Sequence, residues 1–215
     1  MQRAGTTEIL DLCSGGSGPW IQLQEHFELA GWPVRVTLTD KYPNPEALRK
    51  LHKDTHLEIE YLAEPVDAIE VPHHLKGMRT IFEGFHHFEP EKARSILQDA
   101  AENRYAIGIF EASLKQPIGS LFLLLSPIAT LAGYFLMTPF IKPRRWSRFL
   151  WTYLIPVVPL ATGWDGVISF LRAYLPHDLA ELTGSIQCRD YNWEIGQTPA
   201  GTPIFDFTYL LGYPD

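Results

Sequence analysis

The chain has 215 residues, 46% of them hydrophobic and 20% charged, with a formal net charge of −7. That length supports one domain with a sizeable core, and the composition excludes a disordered chain. An isoelectric point near 5.6, with no basic cluster beyond one short stretch, excludes a dedicated nucleic-acid-binding protein.

Residues 8–12 read as a short buried strand, ended by Ser14-Gly15-Gly16-Ser17-Gly18, a stretch able to take positive φ angles. Trp20, Leu23, Phe27 and Ala30 recur at helical spacing over 20–30, and Gly31-Trp32-Pro33 stops that helix. Residues 34–39 form a second strand, rich in β-branched side chains and ending at Asp40. A short helix is expected over 43–51, a third strand over 59–62, and a fourth over 80–82 running out at Gly84-Phe85-His86-His87. Pro90 opens a helix over 90–103 with Ala93, Ile96, Leu97 and Ala100 on one face, and 105–111 is a fifth strand. This alternation predicts a parallel sheet covered by helices on both faces. Two last strand-like runs, 186–195 and 204–212, are joined by a Gly- and Pro-rich turn and should pair antiparallel.

The first strand, its small-residue turn, the next helix and the second strand's terminal acid form a nucleotide-binding pattern. Small residues let a ligand approach backbone N–H donors. Asp40, 22 positions after Gly18 and followed by Lys41, is placed to accept hydrogen bonds from two ribose hydroxyls. A nicotinamide-dinucleotide domain opens in the same way. This chain lacks the first glycine of that fingerprint and closes in a hairpin rather than a sixth parallel strand.

With these residues in hand, nearly the whole chain resembles the class I S-adenosylmethionine-dependent methyltransferases in element order. The resemblance implies an α/β, Rossmann-like seven-stranded sheet, mostly parallel, with an antiparallel last strand. Asp11-Leu12-Cys13-Ser14-Gly15-Gly16-Ser17-Gly18 is similar to the family's first motif, so Asp11, Cys13, Ser14, Gly15, Gly16 and Ser17 would lie along the methionine part of the cofactor. The resemblance assigns Asp40 to the ribose, with Lys41 beside it, and Asp67 and Ala68 to the adenine. In the usual acidic-x-Gly-x-Gly-x-Gly pattern the first and third glycines fall here on Cys13 and Ser17. The sequence begins almost at its first strand, without the N-terminal helices that cap the substrate side in many members. The expectation is a pocket that is open, closed by a partner chain, or left uncapped in a shortened chain.

Methyl transfer needs an aligned acceptor and often a base. His86 and His87 follow the fourth strand, where the reactive end of the cofactor is expected, and His86 is the first choice as catalytic base. Trp164-Asp165-Gly166 precedes an amphipathic run over 167–174. Asp165 reads as its N-cap or first-turn acid, and Trp164 and Asp165 are candidates for the substrate wall. Glu111 closes the fifth strand. Cys13 and Cys188, far apart, make neither a disulfide framework nor a zinc site. They fit a reducing cytoplasm, and no metal is expected. No leader is expected either, because the opening apolar stretch is short and meets Asp11 at once.

Residues 113–184 stand apart as an apolar helical insertion between strands five and six of a single methyltransferase-like domain. Within it, 116–141 runs 26 positions without Asp, Glu, Lys, Arg or His. One membrane crossing conflicts with pairing both flanks in one sheet, and the return run over 149–162 is too short and is broken by Pro156 and Pro159. Two readings stand. The segment packs as broken helices into a greasy lid, or 116–148 makes peripheral membrane contact with Lys142, Arg144, Arg145 and Arg148 on head groups. Either favours a hydrophobic small-molecule or lipid-like acceptor. Two other functions remain open: a non-catalytic or membrane-associated interaction protein on this fold, and a sulfonium-assisted rearrangement.

Overall fold

A computed structural model of the chain describes residues 3–16, 18–44, 58–115, 118–141 and 144–215. The strands are β1 (Glu8–Asp11), β2 (Arg35–Leu38), β3 (Ile59–Tyr61), β4 (Met78–Phe82), β5 (Ile107–Leu114), β6 (Tyr191–Pro199) and β7 (Phe205–Pro214). They form one sheet in the order β3-β2-β1-β4-β5-β7-β6. The first five pair in parallel, with Asp11 opposite both Leu38 and Thr80. Lys115 N–H donates to Ile204 O and Ser113 Oγ to Asp206 O, while Gly212 lies against Ile107. Partner numbers fall as those of β5 rise, so β7 runs antiparallel to it.

The chain turns back on itself between β1 and β4. To one side the strand order runs through β2 and β3, to the other through β5. Such a reversal leaves a crevice at the carboxyl ends of the strands.

Helix α1 (Trp20–Leu29) and helix α2 (Pro90–Glu102) cover opposite faces. Because strand side chains alternate, Ile9 joins a cluster with Trp20, Val36 and Leu38, and Leu10 joins Ile81, Ile96, Leu97 and Ile109 on the other face. The α2 face is as its sequence dictates: Ala93, Ile96, Leu97 and Ala100 are fully buried. The α1 face departs from expectation. Ala30 is exposed and Gln24 is buried instead, its Nε2 donating to Val34 O at 2.9 Å. A buried amide is tolerated where it finds such a partner.

The chain divides into two compact units, one of residues 1–111, 174–198 and 208–215, the other of residues 112–173 and 199–207. The smaller holds helix α3 (Ile118–Met137), a helical segment over 146–154, and helix α4 (Val157–Arg172). Helix α5 (Pro176–Gly184) belongs to the larger unit, with Leu179 buried in its core. The helix expected over 43–51 falls largely outside the described residues.

Candidate functional site

The crevice is built in the larger unit from the ends of β1, β2 and β4. Asp11 closes β1 and is 1% exposed. Its two carboxylate oxygens accept hydrogen bonds from Ser14 Oγ and Thr80 Oγ1, each at 2.6 Å. Ser14 Oγ in turn accepts from Thr39 N–H at 3.1 Å. Burial raises the Asp11 carboxyl to about 6 against the pull of these hydroxyls. Asp11 therefore sits under the turn and braces it from below.

Asp40 reaches the same turn from β2. One carboxylate oxygen accepts Gly15 N–H at 2.8 Å and the other accepts Tyr42 N–H at 2.7 Å. A carboxylate has about four lone-pair sites, so this half-buried group keeps acceptor capacity for further donors. The turn itself needs left-handed backbone at Cys13 (φ 59°), Gly15 (φ 52°) and Gly18 (φ 53°). Glycine adopts that region freely, whereas Cys13 does so at a cost. Its Cβ also faces Gly84 after β4, where an added Cβ would come within 3.2 Å. Ser17 lies outside the described residues.

A residue with no motif signal, Tyr61 at the end of β3, completes the support. Its hydroxyl donates to Gly15 O at 3.1 Å and accepts Asn44 N–H at 3.2 Å. Val66 N–H donates to Asp40 O at 2.9 Å, which brings the loop after β3 to the same wall. There Lys41 Nζ meets Asp67 Oδ2 at 2.7 Å and holds the Asp67 carboxyl below its usual range. Ala68 beside it is buried. Asp11, Cys13, Ser14, Gly15, Gly16, Asp40, Lys41, Asp67 and Ala68 thus gather around one crevice. The Cys13 thiol reports its charge. Burial first, then the carboxylates of Asp40, Asp11, Asp67 and Glu111, push it to about 12. That thiol stays protonated and unreactive at neutral pH, and the crevice is electronegative. No Cβ placed on Gly15, Gly16 or Gly18 would meet an atom within 4 Å, so these three positions of the turn face open space.

Past β4, residues 85–87 form a short 3-10 turn. His86 is 8% exposed and its Nδ1 lies 2.6 Å from Oε2 of Glu111, which is 2% exposed. The other Glu111 oxygen accepts Phe85 N–H at 2.6 Å. With Nδ1 donating to Glu111, Nε2 is the basic nitrogen of the ring. His87 is exposed, and its ring centroid lies 4.3 Å from that of His86. The geometry favours His86 over His87 as the positioned imidazole. Arg79 is buried, paired with Asp99 of α2 and stacked on Tyr105. Among the described residues, no group of three or more His, Cys, Asp or Glu side chains is placed to hold a metal.

Trp164 and Asp165 lie in the smaller unit. Asp165 is neither an N-cap nor a first-turn acid: α4 runs unbroken through it, and both residues are exposed. Two glycines at about 1 kcal/mol each do not stop a helix so apolar on its packed side. Trp164 lines an apolar groove of about 370 Å³ with Pro127, Leu131, Pro159, Leu160 and Gly163.

No family model and no curated protein matches the sequence. Solved structures do match. The mitomycin 7-O-methyltransferase MmcR is 13% identical, with a TM-score of 0.59 over 99% of this chain. Human N-acetylserotonin methyltransferase, solved with S-adenosylmethionine, is 14% identical, with a TM-score of 0.53 over 100%. LepI, also solved with S-adenosylmethionine, is 18% identical, with a TM-score of 0.52 over 95%. The fold is that of the class I S-adenosylmethionine-dependent methyltransferases. The chain spans 42–50% of the length of these matched proteins.

Proposed function

We propose that the chain binds S-adenosylmethionine in this crevice and transfers its methyl group to a hydrophobic small-molecule or lipid-like acceptor. The observation that carries the reading is Asp40, at the end of β2, clasping Gly15 N–H at the end of β1, beside the strand-order reversal, with acceptor capacity left for two ribose hydroxyls. Gly15 and Gly16, open above, would pass beneath the methionine part, and Asp67 and Ala68 would flank the adenine. Neighbours of this fold solved with S-adenosylmethionine, or with S-adenosylhomocysteine and a dihydroxynaphthoic acid, support the cofactor and a small-molecule acceptor.

When bound, S-adenosylmethionine would supply an electrophilic methyl group. The chain's own part is positioning and charge. The carboxylates around Cys13 favour a cationic ligand. Asp11, Ser14, Thr39, Thr80 and Tyr61 hold the turn in one shape before any ligand arrives, which cuts the ordering cost of binding. Glu111 fixes the His86 ring, and Nε2 of His86 takes the proton that the acceptor gives up.

The test is thermal melting with S-adenosylmethionine or S-adenosylhomocysteine. Ligand at one hundred times its Kd should stabilise the chain by about 2.7 kcal/mol, and Asp40→Ala should abolish the shift. No shift at millimolar ligand overturns the reading. Ligand bound, with no turnover on any acceptor, would leave the binding reading standing and favour a non-catalytic role or another sulfonium-assisted reaction. A structure of this fold described as a pericyclic reaction enzyme makes the latter a concrete rival.

A further inference from the structure

The smaller unit has a surface unlike that of a water-facing enzyme. Over Leu121–Phe140 mean hydropathy is 1.8, yet only 6% of that window is buried. Leu124 is 73% exposed, Leu136 66% and Phe140 73%. On the following helical segment and α4, Trp146 is 90% exposed, Leu154 75% and Trp164 70%. Contiguous apolar exposure on this scale marks a surface meant to be covered.

Charge says what covers it. By sequence the smaller unit carries six basic residues (Lys115, Lys142, Arg144, Arg145, Arg148, Arg172) against two acidic ones (Asp165, Asp206), a balance of +4 in a chain of −7. Four of the six fall within 142–148. Arg144 Nε and Arg148 Nη1 donate to the carbonyls of Pro139 and Ile141, just past α3, so these two arginines are held close to the exposed Phe140 and Trp146. Exposed aliphatic side chains, aromatic side chains and a tethered arginine cluster together match an anionic bilayer surface. A second copy offers the cluster little to pair with, because the smaller unit holds only two acidic residues, Asp165 and Asp206.

Lying in the interface fits these helices better than crossing it. Helix α3 is long enough to span, at about 1.5 Å per residue. Its start follows β5 directly and its far end carries the arginines. Spanning would carry that cluster through the hydrocarbon to the opposite leaflet. Pro156 interrupts the return, where 146–154 and α4 meet at 71°. We infer that the unit formed by residues 112–173 docks on an anionic membrane surface. Its exposed side chains on α3, the 146–154 segment and α4 are immersed at the acyl boundary, with Arg144, Arg145 and Arg148 on lipid phosphates.

The proposal does not depend on methyl transfer, so its test uses no cofactor. The full chain is floated with vesicles of phosphatidylcholine alone and with vesicles containing about one third phosphatidylserine. It should float with the anionic vesicles, release as salt rises, and show a blue shift of tryptophan emission that Trp146→Phe diminishes. The triple substitution Arg144→Glu, Arg145→Glu, Arg148→Glu should cut partitioning about tenfold or more without changing the melting temperature. Leu124→Ser with Leu136→Ser should cut it on both vesicle types. Failure to float with anionic vesicles, in a preparation that melts cooperatively, overturns the proposal. So does a stable dimer, seen by sedimentation, that Leu124→Ser with Leu136→Ser dissociates while vesicles bind neither form.

Discussion

The two compact units invert each other's surfaces. In the larger, Leu10, Ile81, Ile107 and Ile109 are buried and the carboxylates of Asp11, Asp40 and Asp67 gather at one crevice. In the smaller, leucines and tryptophans face outward and the balance of charge is positive. The chain-wide figures, 46% hydrophobic and −7, describe neither. An average composition bounds fold class, but surface character has to be read unit by unit, because the hydrophobic effect acts on exposed area rather than on content.

If the units divide the work in this way, substitutions in one should leave the readout of the other untouched. The largest effect is expected at His86. His86→Gln should lower turnover on an accepting phenol or similar apolar acceptor by about 10²–10³-fold, with S-adenosylhomocysteine affinity and vesicle flotation unchanged. Equal losses in affinity and turnover would make His86 a structural residue. Next is Asp40→Ala, which leaves two N–H groups without their acceptor and should weaken S-adenosylhomocysteine about one hundredfold by calorimetry. Flotation again should not move.

Asp11 gives a pH signature confined to the larger unit. Its folded-state carboxyl is raised from 3.8 to about 6, so the folded chain holds that proton more tightly than the unfolded one. The contribution to stability is fully present below about pH 4 and is lost as pH rises through about 6, by at most about 3 kcal/mol. Asp11→Asn should remove that loss. The difference between the two melting curves should therefore change across pH 4 to 6 and be flat above. A flat difference throughout would mean that the carboxyl is not buried as described. The smallest effect is at Cys13, whose left-handed backbone favours glycine. Cys13→Gly should stabilise by about 1 kcal/mol in denaturant melts, and destabilisation would show that the side chain is needed where it packs on Gly84.

Much of the crevice was legible in the sequence because it is made of local signals. A strand, a small-residue turn, a helix and a strand-terminal Asp40 are all visible within about forty residues. The braces were not. Thr39 and Thr80 read as β-branched strand formers and Tyr61 as a strand aromatic, and only the register of β1 against β2 and β4 shows their hydroxyls converging on one turn. The His86–Glu111 pair needed the β4–β5 pairing, which brings residues 25 apart, with α2 between them, to one place. Gln24 was invisible for a similar reason: its partner, Val34 O, lies beyond the turn that ends α1, just before β2. In the smaller unit Gly163, Trp164, Asp165 and Gly166 imitate a helix start. They lie inside α4 because that helix is held by packing rather than by local propensity.

The most direct test of the central claim is a crystal structure of the full chain grown with S-adenosylhomocysteine. The account predicts both ribose hydroxyls on the Asp40 carboxylate, the adenine between Asp67 and Ala68, and the sulfur turned toward the residues 85–87 turn. Ligand found elsewhere, or the space above Gly15 and Gly16 closed by the chain's own side chains at saturating ligand, would contradict it.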